Sequence, residues 1–347
     1  MLNTLIEREQ KLAHWVAAQL PLSTPVVTLT PIASDAGFRR YFRFATPSIW
    51  LAVDAPPQTE DSRQFVALAR YLSQHGVNTP KVFAADEAQG FLLVEDFGDD
   101  LLDGELNIKT VNELYGRVFN TLINLQNCPN NETLFPLYDQ PLLHRELLIF
   151  SEWFAEKLLG YSFSPQDETI LAQTFNILEN SALEQPQTLV HRDFHSRNLI
   201  LQTSSIGVID FQGALWGACT YDLASLLRDC YVRWPTPQVK AWALAYRQQA
   251  ISAGLLAEVS ESDFLRWFDW IGLQRHIKVL GIFARLHLRD SKHHYLHDLP
   301  LVIRYVLEVS EQYPQFHAFA AWFKINLLPR IEQHAWYSDY QHAGDNA

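Results

Sequence analysis

The period of the apolar residues changes once along the chain, and that change limits the possible architectures more than any single motif does. An amphipathic stretch, Leu5 to Leu20, comes first and ends at Pro21. Short β-rich runs follow: Val26 to Ile32, Tyr41 to Ala45, Ile49 to Val53 and Gly90 to Val94. One helical pattern, Asp61 to His75, lies among them and is broken by Gly76 to Pro80. Beyond Glu95-Asp96-Phe97-Gly98 the spacing is that of helices, over Lys109 to Gln126, Pro141 to Leu159 and Asp167 to Leu183, and, after one β interlude, on to about residue 334. The pattern predicts an α+β chain of two lobes: a small β-rich lobe with a leading helix over residues 1–97, and a larger, mostly helical lobe over 98–347. With 48% apolar residues in 347, each lobe has enough for its own core. The tail from Asp339 to Ala347 is expected to fray.

The β interlude carries the chemistry. Leu189-Val190-His191-Arg192-Asp193-Phe194-His195-Ser196-Arg197-Asn198 runs into Leu199-Ile200, and Gly207-Val208-Ile209-Asp210-Phe211 follows. The apolar run at Leu189 and Val190 delivers Asp193, a short loop turns to Asn198, and two strand-like segments, Asn198 to Gln202 and Ile206 to Ile209, form a hairpin that ends at Asp210. One carboxylate, then a carboxamide five positions on and a second carboxylate seventeen positions on, is the set phosphoryl transfer needs. Asp193 is assigned to the attacking hydroxyl, as the catalytic residue. Asn198 and Asp210 are assigned to magnesium, which takes hard oxygen ligands and completes its shell with ATP phosphates and water. His191, immediately before this set, is read as a structural brace for the loop.

A net charge of −12 argues against nucleic-acid binding by general phosphate neutralisation and leaves room only for a local basic patch. The three cysteines, Cys128, Cys219 and Cys230, are widely spaced, make no Cys-x-x-Cys pair, and point to a reducing compartment. No stretch approaches the ~20 apolar residues of a membrane span. The expected setting is cytoplasmic, as a monomer or homodimer, with no membrane or nucleic-acid partner.

Two further features point to ligands. The turn Ser34-Asp35-Ala36-Gly37-Phe38-Arg39-Arg40 is either an ordinary hairpin turn or a loop whose amides lie over phosphates, with Arg39 and Arg40 at its exit. On the helix pattern from about Phe264 to Leu288, Ile271, Arg275, Lys278, Ile282, Arg285 and Arg289 share one stripe. Either this is a face whose cations pair with Asp263, Asp269 and Asp290, or Arg275, Lys278 and Arg285 form a substrate wall suited to an acidic sugar.

The lobe order, with His191-x-Asp193-x-His195-x-x-Asn198, Ile209-Asp210-Phe211 and Gly217-x-x-x-x-Asp222-Leu223-Ala224, resembles the protein-kinase-like fold and, within it, the aminoglycoside phosphotransferase family. Ser34 to Arg43, Val53-Asp54-Ala55-Pro56-Pro57, Thr220-Tyr221-Asp222-Leu223 and Gly272-Leu273-Gln274-Arg275-His276-Ile277-Lys278 further resemble the bacterial kinases that phosphorylate the anomeric hydroxyl of N-acetylmuramate and N-acetylglucosamine in cell-wall recycling. The resemblance implies ATP and Mg2+ as cofactors and a small sugar as substrate. It implies nucleotide binding by Ala36, Gly37, Phe38, Arg39 and Arg40, with adenine at Glu95 to Phe97. It places His195 and Arg197 on the substrate side with the stripe. Asp222 is implied to brace the catalytic-loop backbone, although a helix cap is an equal reading of the same residue. Kinases of this fold carry a lysine where Leu51-Ala52-Val53-Asp54 has an acid. The expectation here is a reversed pair, Asp54 with Arg63, leaving Arg39 or Arg40 to meet the phosphates. Two other readings stay open: a kinase for another small alcohol, such as an amino alcohol or aminoglycoside, and a kinase-like binding module without catalysis.

Overall fold

The computed structural model describes residues 2–20, 26–32, 38–44 and 49–345. Its backbone contacts gather into two compact units, Met1–Gly104 with Asn198–Gly213, and Glu105–Arg197 with Ala214–Ala347. This division departs from residue 97 in two ways. The β-rich unit continues to about residue 104, and it takes in a hairpin from the middle of the chain.

In the first unit, β1 (Leu29–Ile32), β2 (Arg40–Phe44), β3 (Trp50–Asp54), β4 (Val82–Asp86) and β5 (Phe91–Glu95) form an antiparallel sheet in the order β1-β2-β3-β5-β4. β4 escaped the sequence reading because its centre is Ala84-Ala85 rather than a β-branched run. Helix α1 (Leu2–Gln19) lays Leu12, Ala13 and Val16 on Phe42, Phe44, Ala52, Phe91 and Leu93 of the sheet. Helix α2 (Ser62–Gln74) starts where the Asp61 carboxylate accepts from the Gln64 amide at 2.9 Å. The hairpin of β7 (Leu199–Leu201) and β8 (Ile206–Val208) joins this unit through its backbone: Leu201 donates to the Asp100 carbonyl and Val208 to the Asn78 carbonyl, both at 2.8 Å. Gly207 is required there, since a Cβ would lie 2.5 Å from the Phe97 ring.

The second unit is helical around one element. After the short α3 (Leu102–Glu105), which ends the first unit's leading segment, it contains α4 (Val111–Gln126), α5 (Gln140–Ile149), α6 (Pro165–Glu184), α7 (Tyr221–Leu227), α8 (Thr236–Ser252), α9 (Glu261–Asp290), α10 (Leu299–Gln312), α11 (His317–Asn326) and α12 (Leu328–Ile331). In α9, Leu273, Ile277, Leu280 and Phe283 pack with Phe150, Phe154, Val302, Val306 and Phe323. Gly281 lets α9 cross closely: a Cβ would stand 2.4 Å from the Ile149 carbonyl carbon and oxygen. At that crossing the expected helix from Pro141 to Leu159 changes winding, and Phe150–Leu158 is a π-helix. A small antiparallel pair, β6 (Gln187–Val190) with β9 (Leu215–Ala218), is set among the helices.

The expected fraying of the tail is corrected through residue 345. Tyr340 is buried, and Arg304 Nη1 donates to the Ala343 carbonyl at 2.8 Å and the Asp345 carboxylate at 2.6 Å. All three cysteines are buried free thiols. Among the described residues no helix is long and apolar enough to cross a membrane.

Candidate active site

The catalytic run sits where β6 ends. Leu189 and Val190 are fully buried and paired to Trp216 and Leu215 of β9, so the loop begins from a fixed point. Chain reversal through β9 returns Asp222 at the start of α7 beneath that loop. Its two oxygens accept from the His191 amide at 2.6 Å and the Arg192 amide at 3.0 Å, while α7 has Thr220 at its cap position. Asp222 therefore braces the loop backbone rather than capping the helix. The bracing supports a costly conformation, since Arg192 adopts φ +78°, a region that side-chain-bearing residues rarely enter. Asp222→Ala is expected to leave two buried amides without acceptors and to lower stability by about 3 kcal/mol, read by denaturant unfolding. Burial raises the Asp222 pKa to about 6 from 3.8, against the opposing pull of His191 and the two amides. Its protonated form is thus the one the fold favours, a contribution full below pH 3.8 and lost as pH rises through about 6.

Asp193 follows, a residue on the exposed side of the loop. The surrounding protein alone would push its pKa up, but the charges of Lys278, His195, Arg192 and His191 outweigh that and hold it below the usual carboxylate range. Glu146 of α5 stands behind the group. It is 4% exposed and accepts from Lys278 Nζ at 3.1 Å, from the Arg192 guanidinium and from the Tyr138 hydroxyl. Lys278 also donates to the Tyr221 hydroxyl at 3.0 Å. The next loop residues are held by Asp229, whose Oδ2 accepts from the Ser196 amide at 2.9 Å and hydroxyl at 2.5 Å.

The cationic stripe of α9 divides. Arg275 and Lys278 are buried, and the charge of Asp193 acts on both. Arg275 also points its Nη1 at the Cys230 thiol, 3.5 Å away. Arg285 lies two turns on, and its foremost charged neighbours are Arg289, Asp290 and Glu152. Arg289 pairs with Asp290 at 2.8 Å in solvent. The half-buried His195 stands edge-on to Tyr231, 5.4 Å between ring centroids, and Arg197 lies 3.6 Å over the same ring. Tyr231 thereby gathers the two loop side chains that flank Ser196.

The residues assigned to magnesium lie in the first unit. Asn198 and Asp210 terminate the β7–β8 hairpin and are tied by the Ile209 amide donating to the Asn198 carbonyl at 3.1 Å. Asp210 is exposed, has φ +63°, and accepts from Gln212 Nε2 at 2.5 Å. Two hard oxygen side chains without sulfur or imidazole fit magnesium. Among the described residues no group of three or more His, Cys, Asp or Glu gathers for a metal.

Of the loop residues assigned to the nucleotide, Ala36 and Gly37 fall outside the described residues. Phe38 is 66% exposed. Arg39 is buried against Glu60 at 3.0 Å, with its guanidinium 4.6 Å over Phe65. Burial raises the pKa of Tyr41, Arg39 opposes that, and Asp210 adds to it, so Arg39 and Asp210 act on one hydroxyl. Arg40 turns away: its Nη2 meets Asp54 at 2.6 Å and the Leu5 carbonyl at 3.1 Å.

The expected Asp54–Arg63 pair is corrected. Asp54 is fully buried and is held by Arg40, its register partner across β2 and β3, and by Arg8 of α1. Arg63 begins α2 on its solvent side, 83% exposed, and pairs with Glu87 at 2.9 Å. Proximity in sequence misled because the turn before α2 faces this residue outward. Around the expected adenine position, the Asp96 amide already donates to the Ile49 carbonyl at 2.6 Å and the Phe97 carbonyl accepts from Gln202 at 3.1 Å. Glu95 pairs with Trp50 across β5 and β3 and accepts from the Lys81 amide at 3.3 Å.

Glu146, Asp229 and Arg8 were not found from the sequence. For Glu146 a signal existed: it shares an apolar face with Leu143, Leu147 and Phe150, an unlikely place for an acid without a cationic partner.

Residues 28–261 match the phosphotransferase enzyme family, APH. The chain is 39% identical over 317 residues to the N-acetylmuramate/N-acetylglucosamine kinase of Pseudomonas aeruginosa, covering 89% of this chain and 94% of that protein. It is 38% identical over 317 residues to the kinase of the same name from Pseudomonas putida, covering 89% and 93%. Among solved structures, a Plasmodium vivax ethanolamine kinase superposes with a TM-score of 0.65 at 12% identity over 88% of each chain. An ADP-bound aminoglycoside phosphotransferase gives 0.59 at 14% identity over 86% of this chain and 98% of that chain. These structural likenesses identify an α+β, kinase-like fold.

Proposed function

The chain belongs to the phosphotransferase enzyme family, and from that footing we propose that it transfers the γ-phosphoryl group of ATP to the anomeric hydroxyl of N-acetylmuramate or N-acetylglucosamine. The observation that carries the acceptor is the charge around Asp193: Lys278, Arg192 and Arg275 form a cationic setting that suits an acidic or neutral sugar and disfavours a polycation.

In this reading the Asp193 carboxylate accepts a hydrogen bond from the anomeric hydroxyl and aligns its oxygen with the γ-phosphorus. The new P–O bond forms as the β–γ bridging bond breaks, and the hydroxyl proton leaves by way of Asp193. The transition state is loose, so alignment matters more than basicity, consistent with a carboxylate held ionised by its neighbours. Asn198 and Asp210 would hold a magnesium ion, which when bound neutralises the nucleotide phosphates. Arg39 is the loop arginine proposed for the same phosphates, since it and Asp210 act on the one Tyr41 hydroxyl. His195, Arg197 and Arg275 are proposed to line the sugar. Placement in the cytoplasm, where ATP is available, belongs to the same proposal.

The test is a phosphorylation screen of N-acetylmuramate, N-acetylglucosamine and an aminoglycoside, with the position of the product phosphate read by 31P and 13C NMR. A phosphate on the anomeric carbon of an N-acetyl sugar is expected; turnover of the aminoglycoside alone would reject the reading. Arg275→Ala is expected to raise KM for N-acetylmuramate by about tenfold more than for N-acetylglucosamine, the size of one lost charge-assisted contact.

A further inference from the structure

Glu146 holds three partners on one buried carboxylate, and two of them are cations that also act on Asp193. Resting on the function proposed above, we propose that Glu146 is a positioning residue: it seats Lys278 and Arg192 where their charges stabilise that of Asp193.

Three observations converge on this role. Glu146 is nearly inaccessible, so it meets substrate only through its partners. Its two oxygens divide the work, Oε1 taking Arg192 and Oε2 taking Lys278 and Tyr138. Arg192 has a backbone in the left-handed region, pinned at its amide by Asp222 and at its guanidinium by Glu146, and Asp193 is the next residue. Releasing the guanidinium frees a strained residue adjacent to the catalytic carboxylate. Releasing Lys278 leaves a buried ammonium whose other negative neighbour is Asp193.

The charged and titratable groups that face Lys278 are Glu146 on α5, Tyr221 on α7, and Arg192 and Asp193 on the catalytic loop. Burial depresses the lysine, but Glu146 first, then Tyr221 and Asp193, lift it above its ordinary 10.5. Without Glu146 that lift is lost, and Lys278 titrates at lower pH than in the intact protein.

The experiment compares Glu146→Gln, Glu146→Asp and Glu146→Gln/Lys278→Met with the wild type in two measurements. In turnover, Glu146→Gln is expected to lower kcat on the order of 100-fold with KM for ATP unchanged, and to add an alkaline limb to the kcat profile that the wild type lacks. Glu146→Asp, which keeps the charge, is expected to remove that limb. In thermal unfolding, a lysine depressed in the fold destabilises it at low pH. The Tm of Glu146→Gln, relative to the double variant, is therefore expected to climb as pH rises toward 10.5, whereas the wild type shows no such climb. Wild-type behaviour of Glu146→Gln in either measurement would overturn the proposal. If the wild type phosphorylates no sugar, the proposed function fails, and the unfolding comparison still decides whether Glu146 holds Lys278.

Discussion

Asp193→Asn is expected to reduce turnover by about 10³-fold while leaving ATP affinity within about twofold. The substitution keeps the volume and one hydrogen-bonding oxygen but removes the charge that receives the proton and that Lys278, Arg192, His191 and His195 are arranged to hold. It also removes the negative charge on which Lys278 and Arg192 act. The substitution is isosteric, so the variant is expected to fold, which its Tm checks. Steady-state turnover paired with nucleotide titration separates the two effects. Turnover within tenfold of wild type would remove Asp193 from its assigned role.

Asp210→Asn is expected to have the second-largest effect, on a different parameter. Here the loss is charge on the candidate metal, so the dependence on magnesium changes along with kcat. The apparent affinity for Mg-ATP should fall by at least tenfold, recovering in part as magnesium is raised, whereas Asp193→Asn shows no such recovery. Asp210 is exposed at φ +63°, a conformation asparagine tolerates well, so a folding defect is not expected to confuse the measurement. Magnesium titration of turnover at fixed ATP is the check. An unchanged magnesium requirement would show that the ion is held elsewhere.

How much the sequence disclosed follows from how far apart the interacting residues lie. His191 to Asp210 was legible because its members are near neighbours on one loop and hairpin, where spacing alone nearly dictates geometry. The period change along the chain likewise announced a sheet followed by helices. Asp54 was misread because its partners come from across the sheet and from α1, 14 and 46 positions away, not from the adjacent helix. Glu146 and Asp229 act on residues 46 and 33 positions away, through packing of α5 and α7 that no local pattern encodes. The stripe on α9 was correctly seen as one face, yet a face 30 residues long meets several environments in turn. The charge of Asp193 acts on Arg275 and Lys278, while Arg289 pairs with Asp290 in solvent.

The β7–β8 hairpin has a consequence for synthesis as well as for chemistry. Its strands complete a unit whose first segment ends at Gly104, well before the hairpin starts at Asn198, giving Asp100 and Asn78 the amides their carbonyls accept and covering Phe97 with Gly207. On the ribosome, the first 104 residues must therefore wait, with Phe97 uncovered, until residues 198–213 have emerged. Until then the β-rich unit lacks those two hydrogen bonds and the cover over Phe97, and it is completed only after the loop that bears Asp193 has been made.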